Sequence, residues 1–136
     1  MEIRQPNDKE FEEVKKYVEY YWLDNIGLNK EQFRILLQDN KLIAFGRLRV
    51  TNDSIELCSL GVLKDFRGKH FGSAIVKALL KEAQKDVHVV TVIPGFFIKN
   101  GFIQVAHYPD SISKKYKLCS TEYAVKDPYV VMKYNA

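Results

Sequence analysis

A chain of 136 residues with 46% hydrophobic and 28% charged residues has the composition of one globular domain and not of a disordered segment. Its net charge of +4 suits anionic ligands, but the basic residues are dispersed, so we expect no nucleic-acid partner. No stretch has the length of apolar sequence that crosses a membrane, and the first residues lack the apolar core of a signal peptide. We therefore expect a single cytoplasmic domain over residues 1–136 with no membrane association. The two cysteines have no metal-ligand spacing, and we expect no metal.

The predicted elements are strands interrupted by three helices, with three consecutive strands between the first helix and the second. Strands are predicted at residues 2–4, 33–38, 42–50, 55–63, 87–93, 102–108 and 129–134. Helices are predicted at residues 7–22, 72–84 and 94–100. The run at 87–93 is β-branched with little polar alternation, as in a central strand that is covered on both faces. This order predicts a mixed α/β (α+β) fold in which a mostly antiparallel sheet of six or seven strands has helices on both faces.

Residues 60–72 join an apolar segment to a basic turn with two glycines, and this turn opens directly into a predicted helix. A helix that begins behind such a turn directs backbone N–H groups and the positive end of its dipole at one point. Arg67 and Lys69 add positive charge there, and Gly68 and Gly72 let a ligand approach the backbone. The segment predicts a pyrophosphate-binding site, with an ordinary basic surface turn as the alternative. It matches neither the P-loop nor the dinucleotide fingerprint.

Two motifs carry a family resemblance. Residues 67–72 resemble the coenzyme A loop of the GNAT superfamily of acyl-CoA-dependent N-acyltransferases, written Gln/Arg-x-x-Gly-x-Gly/Ala. Arg67 occupies its first position and Gly72 its last, whereas His70 stands where the family usually has glycine. Residues 94–102 resemble the GNAT segment Phe-Tyr-x-x-x-Gly-Phe, and the order of predicted elements is the one the GNAT fold uses.

The resemblance implies acetyl-CoA as the co-substrate. In the family, the strand before the loop splays from its neighbour and offers N–H groups to the thioester oxygen and the pantetheine amides. The short helix after the next strand packs beside the pantetheine arm. The residues implied to contact coenzyme A are therefore Leu60, Gly61, Val62, Arg67, Gly68, Lys69, His70, Phe71, Gly72, Ser73, Phe96 and Phe97.

Acyl transfer to an amine needs a base or water relay, an oxyanion donor and an acid near the departing sulfur. Glu56 lies where many GNAT enzymes carry a catalytic or water-positioning glutamate, so the resemblance implies that it is the base. The alternative is a glutamate on a solvated strand face. The usual acid is the tyrosine of Phe-Tyr-x-x-x-Gly-Phe, and that position is Phe97 here. The remaining candidate acids are Thr91, Tyr108 and Tyr116.

Cationic residues indicate the kind of amine that is acetylated. An acceptor such as glutamate needs cationic partners for two carboxylates. Arg47 and Arg49 alternate on one face of a predicted strand, and Lys114 and Lys115 are further candidates. A charged solvent face is the alternative for the arginine pair.

Residues 91–97 and 111–119 also resemble small N-acetylglutamate synthase-like transferases. We therefore expect an N-acetyltransferase whose partner is a small-molecule amine, an amino acid such as glutamate. A GNAT enzyme for another amine (a polyamine, an antibiotic or a protein N-terminus) and a non-catalytic acyl-CoA-binding module stay open. Because GNAT domains often pair through their C-terminal strands, a homodimer is a further expectation.

Overall fold

A computed structural model describes residues 1–122 and 127–136 of the chain. These residues form seven strands and four α-helices, and the second, third and fourth strands follow one another without an α-helix between them. The strands are β1 (Glu2–Arg4), β2 (Phe33–Gln38), β3 (Lys41–Val50), β4 (Ile55–Val62), β5 (Val87–Thr91), β6 (Ile103–Gln104) and β7 (Val130–Tyr134). The helices are α1 (Asp8–Tyr20), α2 (Phe71–Glu82), α3 (Pro94–Lys99) and α4 (Asp110–Glu122).

The strands form one sheet in the order β1-β2-β3-β4-β5-β7-β6. β4 and β5 run parallel, whereas β1–β2, β2–β3, β5–β7 and β6–β7 are antiparallel pairs. The prediction of a mixed, mostly antiparallel sheet is therefore confirmed. The chain forms two compact units: the first contains Met1–Leu48 and Leu57–Glu82, and the second contains Arg49–Glu56 and Ala83–Ala136. That residues 1–136 act as a single domain stays a prediction.

In the first unit, α1 covers one face of β2 and β3. Val14 and Val18 of α1 are wholly buried against Phe33, Ile35 and Phe45. The helix begins at a capping box. The backbone N–H of Glu10 donates to the Asn7 side chain, and the backbone N–H of Asn7 donates to the Glu10 side chain. Burial of these apolar side chains fixes the helix on the sheet.

The other face of β3 in the first unit is covered by α2. A Cβ atom added to Gly46 would lie 2.9 Å from Cγ2 of Ile75 and 3.3 Å from Cδ1 of Leu79, both on α2. Ile75, Val76 and Leu79 are buried on this side of the helix. Helices therefore cover both faces of the sheet within the first unit, as the sequence predicts.

In the second unit, β5 pairs with β7 along its whole length, from Val87 opposite Tyr134 to Thr91 opposite Val130. Helix α4 lies against β5 and β7 and buries Ile112 and Cys119. Among the described residues, no helix combines the length and the apolar character needed to cross a membrane.

Two parts of the predicted element pattern are wrong. The strand predicted at 102–108 is reduced to β6, which pairs with β7 only through Ile103 and Gln104. Residues 110–122 form α4, a helix where the sequence analysis predicts no element. The other elements agree with the prediction to within about two residues at their ends.

Candidate active site

The basic turn after β4 has the backbone shape of a loop that leads into a helix N-terminus. A short 3-10 turn at Lys64–Phe66 follows β4, and residues 67–70 then connect to α2. Gly68 (φ +80°) and His70 (φ +67°) both adopt left-handed backbone conformations. The first intrahelical bond runs from the N–H of Ala74 to the carbonyl of His70. The N–H groups of Phe71 and Gly72, which precede that bond, belong to the first turn, where a helix supplies no acceptors of its own.

Residues 67–70 of this loop are exposed, and its two cationic side chains, Arg67 and Lys69, each lie over an aromatic ring. The Arg67 guanidinium lies 4.8 Å from the ring centroid of Tyr21, and its Nε donates to the carbonyl of Val62 at 2.9 Å. The Tyr21 hydroxyl in turn accepts from the backbone N–H of Lys64 at 3.1 Å. The sequence interpretation missed Tyr21, because its sequence position at the end of α1 gives no sign of this contact.

The end of β4 carries a backbone irregularity. Ser59 has a φ of +53°, in the left-handed region, inside the strand. The three residues that follow, Leu60, Gly61 and Val62, are half-buried. Gly61 is also required by packing, because a Cβ there would lie 2.5 Å from Cζ of Phe45.

Arg47, which the sequence pattern predicted to bind a substrate carboxylate, is buried inside the first unit. Its side chain is 0% exposed and every N–H group of its guanidinium has an acceptor inside the first unit. Those acceptors are Oγ of Ser59, Oε1 of Gln32, the carbonyls of Gly27 and Ile26, and Oδ1 of Asp24. The structure therefore leaves no guanidinium N–H of Arg47 without an acceptor inside the protein, whereas the sequence pattern predicted that it binds a substrate carboxylate. The sequence interpretation missed Asp24 and Ser59, which are distant from Arg47 in sequence.

In the second unit, Glu56 joins two of the predicted cationic residues. Glu56 is 4% exposed, and its Oε1 accepts from Nη2 of Arg49 at 2.7 Å. Its Oε2 accepts from Nζ of Lys115 on α4 at 2.6 Å. Glu56 is therefore a buried carboxylate between two cations, and not a glutamate on a solvated strand face. The two positive charges compensate the cost of burying the negative one.

Three further predicted residues lie at the end of β5 and on α3: Thr91, Phe96 and Phe97. Thr91 is buried, and its hydroxyl oxygen accepts from the N–H of Ile93 at 2.9 Å, which fixes the turn into α3. Phe97 is 3% exposed and packs edge-on between Phe96 and Phe102, with ring centroids 5.0 and 5.2 Å away. The structure thus places Phe97 in the core, and Phe96 is the half-buried aromatic of the pair.

The other predicted residues of the second unit fall into two groups. Tyr108 and Tyr116 pack edge-on with ring centroids 6.2 Å apart, and both are half-buried. Lys114 is exposed on α4, next to Lys115 in sequence. The structure therefore brings Glu56, Arg49 and Lys115 into direct contact and leaves Lys114 on the surface.

The family and the fold follow from comparison with known proteins. The model of the acetyltransferase (GNAT) family matches residues 1–96. Among curated proteins, none matches the sequence. Solved structures with this fold include N-acetylglutamate synthase from Neisseria gonorrhoeae complexed with coenzyme A and N-acetyl-glutamate, at a TM-score of 0.79 and 14% identity. The match covers 98% of this chain but only 34% of the Neisseria chain.

Two further structures are similar over nearly their whole length. Rv2747 from Mycobacterium tuberculosis, in complex with CoA, has a TM-score of 0.78 and 18% identity over 100% of this chain and 99% of its own. An aminoglycoside 6'-N-acetyltransferase complexed with coenzyme A has a TM-score of 0.70 and 14% identity over 99% and 97%. At these identities the likeness shows the fold, and together with the family model over residues 1–96 it establishes that the chain belongs to the acetyltransferase (GNAT) family.

Proposed function

We propose that the chain transfers an acetyl group from acetyl-CoA to the primary amine of a small acceptor, an amino acid such as glutamate, by direct attack in a ternary complex. The observation that carries this proposal is the loop at 67–70, which leads into the N-terminus of α2 with two left-handed residues. Space around Gly68 is open, since nothing lies within 4 Å of a Cβ added there. A pyrophosphate can therefore approach the backbone, with Arg67 and Lys69 beside it.

The rest of the co-substrate would be held by backbone and apolar contacts. The N–H groups of Leu60, Gly61 and Val62 would serve the pantetheine amides and the thioester oxygen. Phe96 would contribute an apolar wall for the pantetheine arm. His70, Phe71, Gly72 and Ser73 complete the proposed phosphate site at the start of α2.

Glu56 is proposed to take the proton from the attacking amine, directly or through a water. The amine nitrogen then forms a bond to the acetyl carbon, the carbon–sulfur bond breaks, and the thiolate leaves with a proton from an acid. Thr91, Tyr108 and Tyr116 are the candidates for that acid. Thr91 accepts one hydrogen bond through its oxygen and still has its own O–H to donate.

The acceptor's chemistry is inferred from the groups around Glu56. Arg49 and Lys115 meet there, and guanidinium and ammonium groups bind carboxylates. Lys114, at the surface of the same helix, is a further candidate for a second carboxylate. The Neisseria structure contains N-acetyl-glutamate, which supports an amino-acid acceptor. An enzyme for aminoglycosides has the same fold, and a cationic acceptor of that kind is the competing outcome of the test below.

Thiol release from acetyl-CoA, measured with a panel of amino acids, polyamines and aminoglycosides, tests the proposal. Release that depends on glutamate or a similar amino acid supports it. Release with polyamines or aminoglycosides alone contradicts the acceptor class but keeps the reaction. Coenzyme A binding without release for any amine indicates a binding module instead.

Glu56→Gln keeps the shape of the side chain and removes the proton acceptor. We expect turnover to fall at least about tenfold near neutral pH, while acetyl-CoA binding by calorimetry stays within about twofold. Glu82→Gln is the matched control, because Glu82 forms a partly exposed ion pair with Arg34. Equal activity of the two variants would remove Glu56 from the mechanism.

A further inference from the structure

A buried arginine ties together three separate segments of the first unit. Arg47 on β3 donates through Nε to Oγ of Ser59 on β4 at 2.8 Å. Through Nη2 it donates to the carbonyl of Ile26 at 2.9 Å and to Oδ1 of Asp24 at 3.2 Å, both in the segment between α1 and β2. Its Nη1 donates to Oε1 of Gln32 at 2.8 Å. With 0% of Arg47 exposed, these contacts are made without competition from water.

Ser59 is the point where this network meets the backbone of β4. Its hydroxyl accepts from Arg47 and donates to the carbonyl of Asp24 at 2.6 Å. The same residue has a φ of +53°, which serine adopts only at an energetic cost. The side chain is 5% exposed and carries both hydrogen bonds, so the surroundings hold the backbone in this conformation.

The position of Ser59 in the chain gives this conformation a consequence. Leu60, Gly61 and Val62 follow immediately, and the direction of their N–H groups depends on the backbone turn made at Ser59. Successive residues of a strand point to opposite sides, so a shift of one residue turns each residue's groups to the opposite side. A small relaxation at Ser59 would therefore redirect all three amides together.

We propose that Arg47 and Ser59 are positioning residues that set the direction of the β4 amides for the thioester and the pantetheine arm. This inference rests on the proposed function, since it takes residues 60–62 as the contact for acetyl-CoA. Neither residue touches the co-substrate. Because every donor of Arg47 is used within the protein, the network acts on the co-substrate only through the backbone of β4.

The test compares two ligands that use different parts of the site. Acetyl-CoA reaches the β4 amides, whereas the phosphorylated ADP fragment of coenzyme A lacks the pantetheine arm and reaches only the loop at 67–70 and α2. Calorimetry measures both for the wild type, Ser59→Ala and Ser59→Gly. Glycine adopts the left-handed conformation without cost but has no hydroxyl, so Ser59→Gly removes the tie even if Ser59→Ala fails to fold.

We expect acetyl-CoA to bind about tenfold more weakly to Ser59→Gly, with binding of the fragment unchanged within about twofold. Arg47→Lys, which loses the planar fork, should show the same selective loss. Arg34→Gln on β2 is the matched control. It removes a bidentate pair with Glu82, and we expect the binding of both ligands to stay unchanged.

Two results overturn the inference while the proposed function survives: equal weakening of both ligands in Ser59→Gly, or no weakening of either. Failure of the wild-type protein to bind acetyl-CoA is a different result, which overturns the proposed function itself.

Discussion

At the scale of single residues, His70 has a backbone conformation that glycine adopts more easily. Its φ of +67° lies in the left-handed region, directly before α2 begins. For a residue with a Cβ this conformation costs about 1 kcal/mol. We expect His70→Gly to raise the free energy of unfolding in urea by up to about 1 kcal/mol, with acetyl-CoA binding retained.

Lys69 is the matched control for that change, because it is exposed on the same loop and has no positive φ. Lys69→Gly should lower the free energy of unfolding by about 0.5–1 kcal/mol, since glycine has more conformational freedom in the unfolded chain. If both variants lose stability equally, the backbone strain assigned to His70 is absent in solution.

His88 gives the second unit a dependence of stability on pH. The residue is 7% exposed, and its Nδ1 has no hydrogen-bond partner among the described residues. Burial, followed by the positive charge of Lys133, lowers the pKa of His88 below its ordinary value of 6.5, while Asp86 acts in the opposite direction. Below pH 6.5, His88 is therefore protonated in the unfolded chain but binds a proton less readily in the folded chain. We expect the free energy of unfolding to fall as the pH drops through this range.

Urea unfolding at several pH values between about 7.5 and 5 measures this effect. His88→Leu should flatten the dependence and raise stability at neutral pH, because an unpaired buried polar atom is removed. His107→Gln is the control, since His107 is exposed. A pH dependence that persists unchanged in His88→Leu would assign it to other groups.

At the scale of elements, the sequence predicted the strands of the first unit best. The predicted strand 33–38 coincides with β2, because its apolar residues and the turn that follows it are local signals. Helix α4 was missed, although Ile112, Tyr116 and Cys119 recur at the helical spacing i, i+4 and i+7. The pattern is short and lies among polar residues, only Ile112 and Cys119 are buried, and packing on β5 and β7 adds to it in the folded protein.

The site was predictable only where its signal is local. The loop at 67–72 was found because basic residues and glycines stand together in sequence. The internal hydrogen bonds of Arg47 were not predicted, because its acceptors come from residues 24–27, 32 and 59, which are distant from it in sequence. One sequence cannot show which distant groups will meet a given guanidinium, and two alternating arginines on one strand consequently received the same interpretation.

The contact between α2 and β3 leads to a prediction at this scale. A Cβ added to Gly46 would lie 2.9 Å from Cγ2 of Ile75, which is closer than van der Waals contact allows. We expect Gly46→Ala to lower the free energy of unfolding by about 1–3 kcal/mol. In an Ile75→Ala background, which lacks that methyl, the cost should be clearly smaller. Gly95→Ala on α3 is the control, since nothing lies within 4 Å of its Cβ. Additive effects of Gly46→Ala and Ile75→Ala would contradict this packing.

At the scale of the whole molecule, the positive net charge of +4 is spread over the chain. Long-range attraction of an anionic co-substrate depends on that total charge, whereas contact with its phosphates depends on a few residues. The two contributions can be separated, because many lysines lie far from the loop in sequence and are exposed.

Salt dependence distinguishes these contributions. Lys69→Gln and Lys16→Gln each reduce the net charge from +4 to +3, and both lysines are exposed. Between about 0.05 and 0.3 M salt, where the screening length falls to several ångströms, coenzyme A should bind the wild type progressively more weakly. We expect Lys69→Gln to weaken binding at low salt and to reduce its salt dependence, because a direct phosphate contact is lost. Lys16→Gln should behave as the wild type in calorimetric titrations. If both variants shift equally, the loss reflects net charge alone, and the Lys69 side chain makes no contact with the phosphates of the co-substrate.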